Sequence, residues 1–384
     1  MELNYLLWGA VPGANPDAEI EGYEAKYPNA TINYDSPVWT IPEYLQLQKV
    51  KLLSGTDLDL TAVRPETYVD YINAGYLAEI TGEPYLDNYI PSMLDQVMVD
   101  GKAYGIPGAP SLIGVYYNKD IFSKLGLSIP TNWNEFLAVC QMIKDNDITP
   151  LMAGGKDGWP MEYDVWALIH DVFVNDPEIF AKIDSGEVKY TDKIWVDTFE
   201  SINDFYKMGY VGKETVSMGY DQAITLFRQQ NTAMLIQGAW ASASVLGEEG
   251  SIPFEVGVFP IPHNAPGEET VSVVANGVMY CAVSTSKNLD YAKKYLEYVS
   301  TLEGATRSVK ASFGFSSVKG APSDYVLLGD QWGKFFEMKS ITFFANLQYP
   351  AANAEMLKCL QLMFLGDMTP QEMADTLQAV QDKK

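Results

Sequence analysis

The sequence predicts an α/β protein whose sheet is mostly parallel and carries helices on both faces. The chain has 384 residues, which is enough for two or three domains. Apolar residues make up 47% of the chain and charged residues 20%, as in globular proteins. Strand-like and helical segments alternate along the chain, and no segment resembles a long linker. We therefore expect two domains that are interwoven by several crossings of the chain.

The N-terminal segment is predicted as βαβαβ. In order, its elements are the strand Asn4–Trp8, a helix that ends at Pro28, the strand Thr31–Tyr34, the helix Tyr44–Leu53 and the buried strand Leu58–Val63. Strands that alternate with helices in this way usually pair in parallel.

Later elements follow the same rules. We predict strands at Val115–Tyr117, Met234–Ile236, Val256–Phe259 and Met279–Val283, and helices that begin near Trp133 and Leu289. The last helix has the clearest start, because Thr369 is an N-cap, Pro370 follows it and Glu372 completes a capping box.

The charge of the chain argues against several classes of partner. There are 26 basic and 50 acidic residues, for a net charge of −24, which disfavours nucleic acid and anionic lipid surfaces. No apolar run approaches the ~20 residues of a membrane span. The N-terminus has no signal peptide and begins almost directly inside a strand, so we expect that an export segment is missing from the sequence.

Few residues are suited to catalysis or to metal binding. The chain has two histidines and three widely spaced cysteines, which match no zinc site and no disulfide framework. The glycine-containing loop at Gly9–Gly13 lacks the nucleotide-binding patterns. Asp57 and Asp59 flank a strand, but among 50 carboxylates such a spacing arises by chance. We therefore expect no cofactor, no metal and no catalytic residue.

Aromatic residues are abundant, with 8 Trp, 24 Tyr and 16 Phe. A sugar ring offers an apolar face of C–H groups that stacks on aromatic side chains, and a rim of hydroxyls that bonds to carboxylates, amides and Arg. Trp8, Trp39, Trp159 and Trp240 each lie beside Gly, Pro or a strand end. Ligands bind at the ends of strands in open α/β sheets, so this pattern favours carbohydrate binding.

Several motifs resemble those of one known family. They are Tyr23–Asn29, Gly55–Leu60 with Gly75–Ile80, Asp100–Pro107 with Val115–Phe122, and Ala233–Trp240 with Val258–Pro262. In these stretches the chain resembles the extracellular solute-binding proteins of family 1, the maltose-binding-protein-like receptors of sugar importers. Weaker similarity continues through Asn288–Val299, so the resemblance covers most of the chain.

The resemblance implies a two-lobe periplasmic-binding-protein-like fold of type II, with a ligand cleft between lobes joined by crossing strands. We place the crossings near Pro107–Leu112, Val271–Asn276 and Ala321–Leu328. The N-terminal lobe would comprise residues 1–109 and 275–322, and the C-terminal lobe residues 110–274 and 323–384.

The implied function is that of a monomeric, non-enzymatic receptor. It would bind a carbohydrate, most simply an oligosaccharide, close its lobes in a hinge motion and deliver the ligand to the permease subunits of an ABC importer. The family also implies an extracytoplasmic location, either as a periplasmic protein or as a lipoprotein on the cell surface.

Ligand contacts are expected from both lobes. Trp240 resembles the stacking tryptophan of the family, with Gln237 beside it, while Arg64 and Glu66 follow the third strand and offer a donor and an acceptor. Trp39 and Trp159 would add aromatic surface. The remaining expected contacts are Asp157, Glu162, Ser111, Asn276, Gly277, Phe313, Phe315, Gln348 and Tyr349.

Two alternatives stay open at this point. A glycoside hydrolase would explain the many carboxylates and aromatic residues, but not the importer motifs. A receptor of the same fold for another solute, such as ferric ion, would need clustered tyrosines. Tyr116 and Tyr117 are adjacent, but neighbouring residues of a strand face opposite ways.

Overall fold

A computed structural model of the protein describes residues 1–7, 16–35, 41–55, 57–161, 172, 174–176, 178–247, 250–312, 314–324, 326–342 and 350–384. The chain divides into two compact units. Unit 1 comprises Met1–Ser111 and Ala275–Gly329, and unit 2 comprises Leu112–Val274 and Asp330–Lys384. The last boundary between the two units lies after Gly329, whereas the sequence places it after residue 322.

The sheet of unit 1 has the strand order β2-β1-β3-β12-β6. Its strands are β1 (Glu2–Leu6), β2 (Thr31–Asp35), β3 (Leu60–Val63), β6 (Ile106–Pro107) and β12 (Met279–Ala282). As predicted, β1 pairs in parallel with β2 and with β3. A separate hairpin is formed by β4 (Met98–Val99) and β5 (Lys102–Ala103).

Strand β12 corrects the expectation of a mostly parallel sheet. It runs antiparallel to both of its neighbours, with Tyr280 opposite Ala62 of β3 and opposite Ile106 of β6. Parallel neighbours that follow one another need a helical crossover. Because β12 enters the unit directly from a chain crossing, no such crossover sets its direction.

Helices cover both faces of this sheet, as the βαβ pattern predicts. Side chains alternate along β1, so that Leu3 and Tyr5 belong to one buried cluster and Leu6 to the other. The first cluster contains Ile20 and Tyr23 together with residues of the late helices, and the second contains residues of the helices that follow β2 and β3. All four residues of β3 are buried, which is expected for a strand covered on both sides.

The sheet of unit 2 is mixed rather than parallel. Its strands are β7 (Pro110–Asn118), β8 (Thr149–Leu151), β9 (Thr232–Gly238), β10 (Val256–Phe259), β11 (Ser272–Asn276) and β13 (Ser340–Thr342). The strand order is β13-β11-β7-β9-β8, and β10 also pairs with β7. The central strand β7 is antiparallel to β9 and to β10, whereas β8 and β9 are parallel.

The described α-helices surround these sheets. In unit 1 they are α1 (Asp17–Lys26), α2 (Ile41–Ser54), α3 (Pro65–Asn73), α4 (Pro91–Leu94), α11 (Leu289–Val299) and α12 (Leu302–Ser312). In unit 2 they are α5 (Lys119–Leu125), α6 (Trp133–Asp145), α7 (Ile179–Ser185), α8 (Lys193–Lys207), α9 (Tyr220–Arg228), α10 (Ser242–Leu246), α14 (Pro350–Leu365) and α15 (Pro370–Gln381). The short helix α13 (Gly329–Trp332) begins at the last crossing. Within the described part of the chain, no helix is long and apolar enough to cross a membrane.

The capping box that the sequence predicts for the last helix is confirmed. The Thr369 hydroxyl accepts from the Glu372 amide at 3.3 Å, and the Glu372 carboxylate accepts from the Thr369 amide at 2.8 Å. These two bonds satisfy N–H groups that a helix start leaves without a partner.

Unit 1 contains a carboxyl group, that of Glu19, whose charged form is disfavoured by burial. Glu19 of α1 lies among aromatic side chains of α11, and the Tyr295 hydroxyl donates to its Oε2 at 3.5 Å. Burial raises the pKa of Glu19, and hydrogen bonds from Ser308 and Tyr295 offset part of this rise. The folded state therefore binds the Glu19 proton more tightly than the unfolded state does.

We predict that Glu19→Gln flattens the pH dependence of stability. Since the folded pKa is raised, stability that is present below the unfolded pKa is lost as the pH rises through the folded pKa. Gln keeps the acceptor but carries no charge, so the variant should be at least as stable as the parent at pH 7. Urea unfolding between pH 4 and pH 8 measures this. Glu21→Gln on the exposed side of α1 is the control. A parallel pH profile for parent and Glu19→Gln would contradict the prediction.

Candidate functional site

One edge of the unit 2 sheet gathers several of the expected ligand-binding residues. Strands β8 and β9 are parallel, with Thr149 opposite Thr232 and Leu151 opposite Met234, so both carboxyl ends reach the same edge. The segment 152–159, here called the β8 loop, follows β8. A 3-10 helix at Ala239–Ala241 follows β9 and carries Trp240. The carboxyl ends of strands are where open α/β sheets bind ligands.

Trp240 is half-buried, and its ring lies directly over Gly238. A Cβ at residue 238 would collide with this ring, so only glycine allows the ring to take this position. The strand end is held from below, because the Tyr116 hydroxyl donates to the Gly238 carbonyl at 2.9 Å. The Ser242 hydroxyl lies 2.8 Å from the Tyr116 hydroxyl and accepts from the Trp332 indole at 3.2 Å.

Tyr220 adds a ring at this sheet edge that the sequence did not predict. It is the first residue of α9, and its ring centroid lies 5.0 Å from that of Trp159 at a tilt of 45°. Burial raises the pKa of Tyr220, and the Trp240 indole N–H beside the phenol oxygen offsets part of this rise. Trp159, Tyr220 and Trp240 thus form one cluster of half-buried rings, here called the aromatic patch.

The β8 loop is fitted closely against the start of α9. Gly154 touches the Tyr220 backbone, because a Cβ at residue 154 would lie 2.5 Å from the Tyr220 amide nitrogen and Cα. The Asp157 carboxylate accepts from the Tyr220 amide at 2.7 Å, and the Lys156 amide donates to the Met218 carbonyl at 3.0 Å. Asp157 is exposed and lies at a helix N-terminus, where a negative charge is favourable. The same carboxylate that we expect to bind ligand hydroxyls therefore also fixes the loop.

Gln237 is placed differently from its neighbour Trp240. It is 1% exposed, and within β9 it lies opposite Gly114 of β7. No described residue bonds to its Oε1, which is buried. Ligand contact by Gln237 remains a prediction, and in this structure its side chain is enclosed in the sheet.

A second polar group lies at the sheet edge of unit 1. Arg64 is the N-cap of α3 and directly follows β3, and its Nε lies 2.5 Å from Glu66 Oε1. Both side chains are largely buried, at 14% and 13% exposure. Behind them, the buried Gln48 amide donates to Thr61 at 2.7 Å and to the Ala62 carbonyl at 2.8 Å. These bonds hold the end of β3, so the Arg64–Glu66 pair has a fixed support.

The same edge of unit 1 includes the start of β12 and the end of β6. Gly277 precedes Met279, which lies opposite both Val63 and Pro107. Phe315 is half-buried two residues before Ser317, whose hydroxyl donates to the Gly108 carbonyl. Register and chain proximity thus bring Gly277 and the segment that carries Phe315 to the edge that Arg64 occupies.

Other expected site residues lie outside the described structure. These are Trp39, Glu162, Phe313, Gln348 and Tyr349, and for Ser111 and Asn276 only the backbone is described. Their roles stay predictions.

The residues considered above for catalysis or for metal binding are engaged in hydrogen bonds and packing within the fold. Asp59 is buried, and its carboxylate accepts from the Asn4 amide at 2.8 Å and from Ser286 at 2.5 Å. The Tyr116 hydroxyl bonds to Gly238, whereas the Tyr117 ring packs 4.6 Å from that of Phe122, as expected for opposite faces of a strand. Among the described residues, no three His, Cys, Asp or Glu side chains are grouped so that they could hold a metal ion.

Comparison with known proteins gives a consistent result. A family model described as "Bacterial extracellular solute-binding protein" matches residues 10–306. The chain is 25% identical to the "Multiple sugar-binding protein" of Streptococcus mutans over 82% of its length and 78% of that protein. It is 26% identical to an uncharacterized ABC transporter extracellular-binding protein of Pyrococcus horikoshii, over 88% of this chain and 77% of the relative. A solved "Chitin oligosaccharide binding protein" has the same fold, with a TM-score of 0.86, 24% identity and coverage of 100% and 98% of the two chains.

We predict that Gly154→Ala disturbs the aromatic patch. The added methyl group would overlap the Tyr220 backbone, so the β8 loop must shift, at a cost of about 1–3 kcal/mol in the free energy of unfolding. Near-ultraviolet circular dichroism should also change, because the Trp159–Tyr220 packing changes. Gly333→Ala is a matched control, since a Cβ there has no atom within 4 Å. If Gly154→Ala were as harmless as the control, the close fit described for this loop would be wrong.

Proposed function

Because this chain belongs to the bacterial extracellular solute-binding protein family, we propose that it is a carbohydrate receptor that delivers its ligand to an ABC importer. Members of this family act outside the cytoplasm as solute-binding receptors. Within that class, the proposed ligand is an oligosaccharide.

The observation that carries this proposal is the aromatic patch. Three half-buried rings, Trp159, Tyr220 and Trp240, lie together at the carboxyl ends of two parallel strands. An anionic solute would gain little from the negative faces of such rings, whereas the C–H face of a sugar ring stacks on them. The exposed Asp157 carboxylate lies within the same loop as Trp159 and is suited to accept from sugar hydroxyls.

The relatives support a sugar rather than another solute. One is named for multiple sugars, and a solved structure of the same fold is named for chitin oligosaccharides. Those names describe the relatives. Together with the aromatic patch of this chain, they favour a carbohydrate over a ferric ion or an anionic solute.

Unit 1 would contribute the polar part of recognition. The guanidinium of Arg64 donates and the carboxylate of Glu66 accepts, so the pair offers both kinds of hydrogen bond to hydroxyl groups. The two side chains are largely buried and paired with each other, so they are already ordered. Binding of a ligand would therefore cost little side-chain entropy.

We propose binding without turnover. Hydrolysis of a glycosidic bond needs an acid and a base on opposite sides of that bond. Asp59, the carboxylate that the sequence offered for such a pair, is buried and engaged in hydrogen bonds to Asn4 and Ser286. Contact with permease subunits, a monomeric state and anchoring through a lipid remain predictions of the family resemblance.

A thermal-shift screen tests the proposed function. We expect at least one of raffinose, stachyose, maltotriose, chitotriose and xylotriose to raise the unfolding temperature. A ligand that binds only the folded state, at 100 times its Kd, adds about 2.7 kcal/mol of stability. Polyamines, ferric citrate and inorganic phosphate serve as non-sugar controls. A shift with one of these and with no sugar would contradict the proposal.

Two variants show whether the screen reports on the aromatic patch. Trp240→Ala should weaken the binding of the active sugar by about 1–3 kcal/mol, as for the loss of a stacked aromatic contact. Trp133→Ala is the matched control, because Trp133 is a half-buried tryptophan of the same unit that packs on Phe136 and Phe205. Release of reducing ends beyond one per protein on prolonged incubation would favour a hydrolase instead.

We also predict that the active sugar makes the protein more compact. The expected ligand contacts come from both units, so we expect the sugar to bind a closed form more tightly than an open one. A ligand with such a preference shifts the population towards the closed form. Small-angle scattering with and without the sugar should show a smaller radius of gyration in the bound state. An unchanged radius at saturating sugar would contradict ligand-induced closure, while leaving the receptor function in place.

A further inference from the structure

The β8 loop is supported from its second side by helix α14. The Gln361 amide of α14 donates to the Gly155 carbonyl at 2.6 Å. Leu357, one turn earlier on the same face of the helix, lies 3.5 Å from the position that a Cβ of Gly158 would occupy. Gly158 has φ +78°, a conformation that favours glycine. The loop therefore follows the surface of α14 closely at two points.

On its other side, the loop is held by the segment that leads into α9. The bonds there are Lys156 N–H to the Met218 carbonyl at 3.0 Å and Tyr220 N–H to the Asp157 carboxylate at 2.7 Å. The two supports differ in kind. The bonds to the segment before α9 place Tyr220 beside the loop. The bond from Gln361 of α14 fixes the position of the loop backbone within unit 2.

The Gly155 carbonyl is the group through which α14 acts. Gly155 is buried, and its carbonyl accepts from the Gly158 amide at 3.0 Å as well as from Gln361. A carbonyl oxygen has two lone pairs, and both are used here. Because Gly155 and Gly158 bracket Asp157, and Gly158 immediately precedes Trp159, a shift of this carbonyl would move both expected ligand contacts.

We propose that Gln361 is a positioning residue of the ligand site. It holds the β8 loop so that Trp159 packs on Tyr220 and the Asp157 carboxylate reaches the α9 terminus, and it does so without contacting the ligand itself. The proposal rests on the proposed function and adds to it a determinant of affinity that lies in a helix outside the aromatic patch.

The test compares three variants with the parent protein. Gln361→Leu keeps the size of the side chain and removes the donor, whereas Gln361→Lys keeps a donor for the Gly155 carbonyl. Gln371→Leu is the matched control, because the Gln371 amide on the next helix donates at 2.9 Å to Asp375, away from the loop. Calorimetry measures the Kd for whichever sugar of the panel above stabilises the parent most. Hydrogen exchange of residues 154–159 is measured in the sugar-free protein.

We expect Gln361→Leu to raise the Kd by about two- to tenfold, the effect of losing one hydrogen bond. Exchange of 154–159 should become faster in the same variant. Gln361→Lys should restore most of the affinity, and Gln371→Leu should change neither the Kd nor the exchange. A purely structural role would lower the unfolding temperature with no change in Kd.

Two results would overturn the proposal, and they are distinguishable. If the parent binds a sugar and Gln361→Leu binds it equally well, Gln361 does not position the site and the receptor function stands. If a non-sugar control stabilises the parent and no sugar of the panel does, the proposed function fails and the role of Gln361 in sugar binding fails with it.

Discussion

The parallel pairing of β8 with β9 is the constraint on which the candidate site depends. It brings Leu151 next to Met234, residues that are more than eighty positions apart in sequence, and directs both following segments to one edge of the sheet. The β8 loop and the turn that holds Trp240 meet there because the strands before them run the same way. If β8 paired in the opposite direction, Trp159 and Trp240 would lie at opposite ends of the sheet.

Small residues then allow the large ones to approach each other. Gly154 permits the β8 loop to touch the Tyr220 backbone, and Gly238 leaves room for the Trp240 ring. An exposed aromatic surface is costly in water unless the rings are partly covered by their own unit. Here each ring packs on a neighbouring ring or on a glycine backbone, and these contacts restrict how far the rings can move before any ligand arrives. Rigid contact surfaces lose less entropy on binding.

Part of this architecture can be predicted from local signals in the sequence. The strands β1–β3 and the capping box at Thr369 were predictable because they depend on neighbouring residues only. A strand end and a family motif place Trp240 among the expected ligand contacts, and its role stays a prediction. Tyr220 could not be predicted because its partner Trp159 lies about sixty residues away in sequence. Helical or strand periodicity indicates which neighbouring residues share a face, but not which distant residues touch. The direction of β12 could not be predicted either, since it depends on where the chain re-enters unit 1.

The position of β12 between β3 and β6 also constrains how the protein folds. Unit 1 begins with Met1–Ser111 but cannot complete its sheet until Ala282, the last residue of β12, has left the ribosome. Contacts of such long sequence separation form slowly, because loop closure must precede any gain from pairing. Most two-domain chains can fold their first domain during synthesis. This chain instead keeps its first unit incomplete until the segment Ala275–Gly329, which lies beyond the whole of Leu112–Val274, has been made.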